Sequence, residues 1–117
     1  MIRVEQHKRA KYWGGYTVEK VAMLSKPVEV HSQEVEKALF NPTLVKLKWD
    51  QEDFHHEFWF PYWITLNDAK EKYGQFAPMI GEATLLELLK KAIRQDFFTR
   101  DFLNELHEAT ALPGEAA

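Results

Sequence analysis

Cysteine is absent from all 117 residues. Without a thiol there is no disulfide framework, no thiolate metal site and no cysteine nucleophile. No apolar run approaches the roughly 18 residues that a membrane-spanning helix needs. The leading residues, Met1 to Lys8, lack the apolar centre of a signal peptide. A cytoplasmic location with no membrane contact is the expectation. The sequence contains no Gly-Lys-Ser/Thr phosphate loop, no serine-centred nucleophile elbow and no helical two-histidine zinc motif. It therefore indicates neither a reaction nor a cofactor. Internal repeats, low-complexity tracts and linkers are also missing, and a single α+β domain over 1–111 with a flexible tail over 112–117 is expected.

What the chain does hold is rings. Phe, Trp and Tyr make up 14% of it, including four Trp and eight Phe, and large rings supply much of the area that cores and interfaces bury. Its formal net charge of -3 is unevenly spread. Residues 1–26 carry six Lys and Arg against two Glu, and the rest is strongly acidic. A basic leading segment of this kind pairs with an anion, with its own body or with a second copy.

Residues 43–60 organise the rest as a β-hairpin. Thr43 to Trp49 alternates apolar and polar side chains, Asp50-Gln51-Glu52-Asp53 makes a polar turn, and Phe54 to Phe60 alternates again. A simple four-residue closure sets Leu47 opposite His56, Val45 opposite Phe58, Lys46 opposite Glu57 and Leu44 opposite Trp59. On that register Phe54, His56 and Phe58 face the core.

Around the hairpin, an edge strand starts at Ile2, the Gly14-Gly15 pair turns it, and a returning strand runs over 17–24 until Pro27. Val28-Glu29-Val30 is a short strand. Ser32 caps a helix over 33–40 that Asn41-Pro42 ends, and the Thr65 to Asp68 pattern opens a helix over 66–73 that Gly74 closes. Thr84 and Glu87 form a capping box for a helix over 85–96, and Thr99 caps another over 100–109, the two forming a helical hairpin. The fold class is α+β, a small antiparallel sheet of about three to five strands with helices on one face.

Three groups of residues are candidates for function. His55 and Glu57 share one side of their strand and offer two ligands for a metal or a proton-transfer pair, while His56 points the other way and is expected to be a core histidine. Arg9, Lys11, Tyr12, Trp13 and Tyr16 combine cations with rings, the composition that single-stranded nucleic acid recognises. Leu44, Trp59, Tyr62 and Trp63 offer an aromatic interaction surface, since Trp and Tyr anchor interfaces. The leading expectation is a non-catalytic interaction or regulatory module whose partner is a protein or a second copy of itself. A helix-turn-helix reading fails on charge, because Asp101, Glu105 and Glu108 would face phosphate.

Overall fold

The computed structural model describes residues 2–10, 14–30, 37–51, 56–67, 69–74 and 79–111. The expected tail over 112–117 lies outside them. Among the described residues the chain is a mixed α+β fold in which a curled antiparallel sheet, a half-barrel, packs against two helices. In chain order these are β1 (His7–Ala10), β2 (Gly14–Met23), β3 (Val28–Val30), β4 (Ala38–Trp49), β5 (His56–Trp59), β6 (Tyr62–Leu66), β7 (Lys72–Tyr73), α1 (Glu82–Arg94) and α2 (Arg100–Ala109).

Strand β4 is the hub. β2 and β3 pair along one of its edges, and β5 and β6 along the other. The seven segments therefore form five lanes, because β2 and β3 follow each other on one side and β5 and β6 on the other. β5 and β6 hold a single register against β4 from Lys48↔His56 to Ala38↔Leu66, broken only at Phe60 and Pro61. Pro61 has no amide hydrogen to donate, but its carbonyl still accepts from the Thr43 amide at 2.9 Å. Amides alternate sides along a strand, so the hydrogen-less nitrogen of Pro42 faces the opposite edge, at the interruption between β2 and β3. There its missing donor costs no rung.

The hairpin expected over 43–60 is present, but its register differs by one residue. Val45 lies opposite Trp59, Lys46 opposite Phe58, Leu47 opposite Glu57 and Lys48 opposite His56. A one-residue slip moves every side chain of a strand to the other face. His56 and Phe58 are thus exposed on the outer face, and Trp59 turns inward. His56 is not a core histidine. It meets Glu19 at 2.9 Å, where a bulge between Val18 and Lys20 in β2 displaces that carboxylate.

Two expected helices give way to strand. Of the helix over 33–40, Ala38–Phe40 belong to β4 and residues 31–36 lie outside the described set. The helix over 66–73 is replaced by the end of β6, a turn and β7. Asn67 makes that turn with φ of 48°, a left-handed conformation that Asn tolerates better than most residues. Its side-chain oxygen accepts from the Lys37 amide at 3.0 Å. Gly74 closes no helix. Its amide donates to Tyr62 at 2.8 Å, and a Cβ at this position would collide with the Tyr62 ring.

The strand expected over 17–24 is β2, and the short strand over 28–30 is β3. Gly14 takes φ of 87° and pairs with Ala10, as Gly15 does with Arg9, so both glycines belong to β2 rather than to a turn. Helix α1 starts earlier than the capping box implies. Gly81 is its N-cap, and Thr84 sits inside the first turn. Its C-terminal end is pinned to β2, where the Lys20 ammonium donates to the carbonyls of Gln95 at 2.5 Å and Asp96 at 3.1 Å. A cation there meets the negative end of the helix dipole. Helix α2 has the expected bounds, and the Thr99 hydroxyl accepts from the Phe102 amide at 3.2 Å. Among the described residues α1 and α2 form no helical hairpin, and α2 meets the body through the stacking of Phe102 on Phe98.

Two clusters make the core. Ile2, Tyr16, Val18, Val45, Leu47 and Trp63 fill the hollow of the sheet, with Val21, Trp49 and Trp59 packed beside them. On the outer face Ala22, Ala92 and Phe97 join Leu44 and Phe98 under α1.

Candidate functional site

The hollow of the half-barrel holds a cleft of about 300 Å³ lined by Ala10, Tyr16, Leu47, Trp49, Glu57, Phe58 and Trp59. Strand alternation builds it. Tyr16 and Trp49 are direct partners across β2 and β4, and their rings meet edge to face with centroids 5.4 Å apart. One step along the same face, Leu47 lies between Val18 and Glu57, and one step further Val45 lies between Val21 and Trp59. Leu47 is thus the floor, Tyr16 and Trp49 form one wall, and Trp59 forms the other. Glu57 stands at the open edge, exposed. Trp59 is braced from behind by Trp63 at 6.4 Å and Tyr73 at 5.8 Å. Burial in this setting raises the Tyr16 hydroxyl above its ordinary pKa of 10.0, and the nearby Tyr73 hydroxyl raises it further, so it stays a neutral phenol.

A second cleft of about 330 Å³ lies on the outer face, between Lys46, His56 and Phe58 of the sheet and Phe97, Phe98, Thr99 and Phe102 of the helical end. Phe58 stacks on Phe97 and tilts against Phe98, and Phe98 stacks on Phe102 with centroids 4.7 Å apart. This phenylalanine cluster was not legible in the sequence, because the expected register turned Phe58 inward.

No family model, curated protein or solved structure matches this chain. Its site must be read from its own chemistry.

The sequence candidates scatter. Leu44 and Tyr62 lie on the helix side of the sheet and are half-buried, whereas Trp59 and Trp63 face the hollow, and Trp63 is only 7% exposed. These four residues share no surface. Of the basic and aromatic set, Lys11, Tyr12 and Trp13 lie outside the described residues. Arg9 is exposed on the opposite side of its strand from Lys8, the partner of Tyr16, and Tyr16 is 8% exposed. Cation and ring therefore do not sit together in that pair. Of the metal candidates, His55 lies outside the described residues and Glu57 stands in the cleft. Among the described residues no group of three or more His, Asp or Glu is gathered to hold an ion. Two histidine rings each meet one carboxylate instead, His7 with Asp50 and His56 with Glu19, each at 2.9 Å.

The other outstanding feature is α2. Phe102, Leu103 and Leu106 recur at helical spacing on one side, and Asp101, Glu105 and Glu108 occupy the other. None of its residues is buried, and Phe102 is 48% exposed. Helix α1 also leaves a stripe uncovered. Leu88 and Ala92 are buried against the sheet, while Leu86 and Ile93 are exposed beside Leu89, with Lys90 and Arg94 alongside.

Proposed function

We propose that this protein is a non-catalytic interaction module that pairs with a second copy of itself, α2 of each copy lying along the uncovered stripe of α1 in the other. The carrying observation is that α2 is a ten-residue amphipathic helix with no buried residue. A helix this short is marginal alone in water and is ordinarily held by packing of its apolar side. A second copy fits as the cover on charge. The α2 flank is acidic at Asp101, Glu105 and Glu108, and the α1 stripe is bordered by Lys90 and Arg94. Two equivalent contacts related by a two-fold axis would result, the commonest closed arrangement for a homo-oligomer. This relocates self-association from the aromatic strand residues to the helices.

The test is light scattering over a wide concentration range. A dimer is expected, and Phe102→Asp should convert it to a monomer with its sheet signal in circular dichroism unchanged. Phe102 is exposed, so its replacement leaves the folded monomer standing. A wild-type protein that stays monomeric at the highest attainable concentration would sink this reading.

A further inference from the structure

We propose that the cleft in the hollow of the half-barrel is a binding site for a methylated ammonium ion, the head group of a choline-like compound. The inference is separate from the pairing of helices, because it concerns the opposite face of the sheet.

The layout carries it. On one sheet face, positions two residues apart stand about 7 Å apart along a strand. The Tyr16–Trp49 row and the Trp59 row flank the Leu47 row on either side, so the two aromatic walls are about 13 Å apart at the backbone. A trimethylammonium group fits between rings that project from such rows. Its positive charge is attracted to ring faces within about 6 Å, most strongly to tryptophan. Two of the four aromatic residues that line this cleft with Glu57 and Leu47 are tryptophans.

The carboxylate decides the sign and the class of the ligand. Among the described residues no cation is paired with Glu57. Lys8, opposite Tyr16 in the sheet, does not line the cleft. A purely apolar ligand would press against this carboxylate and strip water from it without compensation. An anion would meet both the carboxylate and the negative faces of the rings. A primary ammonium carries three N–H donors, and a bare divalent ion needs several oxygen ligands, whereas the cleft supplies one carboxylate and one phenol. A quaternary ammonium has no N–H to satisfy and spreads its charge over methyl groups that pack on rings.

Isothermal titration with choline and with its neutral carbon isostere, 3,3-dimethylbutan-1-ol, tests the assignment. Choline should bind saturably and at least about tenfold more tightly than the isostere, since only its charge differs. Glu57→Gln, a change at an exposed position, should weaken choline at least about fivefold and leave the isostere unaffected. A trimethyllysine peptide forms the second arm. Tighter binding of the peptide than of choline would support the same chemistry and assign the head group to a protein chain. Equal affinity for choline and its isostere, or no binding of choline and peptide at millimolar concentration, would overturn the proposal. The Phe102→Asp monomer should bind choline as the wild type does, which keeps this test distinct from that of self-association.

Discussion

Thr43, Val45, Leu47 and Trp49 of β4 look into the hollow, where neighbouring strands and the buried Ile2 cover them; Leu44 and Lys46 look out toward α1 and the phenylalanines. The inner side closes upon itself. Sheet curl brings rings from β2, β4, β5, β6 and β7 together, and the N-terminal segment adds its lid through the Val18 amide, which donates to Gln6 at 2.9 Å. The outer side depends on one helix, and the apolar surface of the next helix has no buried residue. Completeness on one side and incompleteness on the other are why we propose a ligand site in the hollow and a partner surface on the helices.

The strongest way to break this comparison is to remove one buried ring from each side. Trp63→Ala inside and Phe97→Ala outside should each cost about 3–5 kcal/mol of stability in chemical denaturation. The two losses should differ in extent. Phe97 joins Ala22 to Ala92, so its removal should release the amides of α1 to hydrogen exchange before those of β4. If β4 loses protection in step with α1, the two sides are one cooperative unit and the comparison fails.

The same division explains what could be read in advance. Alternation in Thr43 to Trp49 identified the central strand, and the Thr99 cap fixed the start of α2, because both are local signals. Register was not local. Four or five loop residues close the hairpin with equal plausibility on paper, and the opposite-charge match of Lys46 with Glu57 favoured a pairing that the structure does not adopt. Every misplacement around His56, Phe58 and Trp59 follows from that one slip. The helix expected over 66–73 and the described end of the one expected over 33–40 failed for another reason. Ala38 to Phe40 pair with Ile64 to Leu66 across β4 and β6, Lys72 and Tyr73 pair with Ile64 and Trp63 across β6 and β7, and these long-range ladders outweigh the capping patterns beside them. The cleft beside Glu57 was hidden for both reasons, since it needs the true register and the curl of the sheet.

A finer probe addresses the incomplete side. Thr99→Ala removes the hydroxyl that holds the Phe102 amide, a change worth about 1 kcal/mol at a helix start. Because α2 meets the body through Phe102 on Phe98 and buries no residue of its own, the loss should appear as fraying of α2 and weaker pairing of copies, with the denaturation midpoint of the sheet almost unmoved. An equal drop in sheet stability would show that α2 is part of the core after all.

The smallest effect tests the complete side, through pH. The Tyr16 hydroxyl is raised above 10.0 by burial and then by Tyr73. Below about pH 10 both folded and unfolded chains keep that proton, and Tyr16 contributes its full share to stability. Above it the unfolded chain releases the proton while the folded chain still holds it, so the unfolded state gains and stability falls as pH rises. The fall ends once the folded hydroxyl also ionises. Tyr16→Phe removes the group and should flatten this part of the decline. The gap between wild type and variant should therefore change above pH 10 and stay constant below it. Parallel curves through pH 11 would mean that water reaches the Tyr16 hydroxyl, and that the wall it shares with Trp49 is less closed than its burial implies.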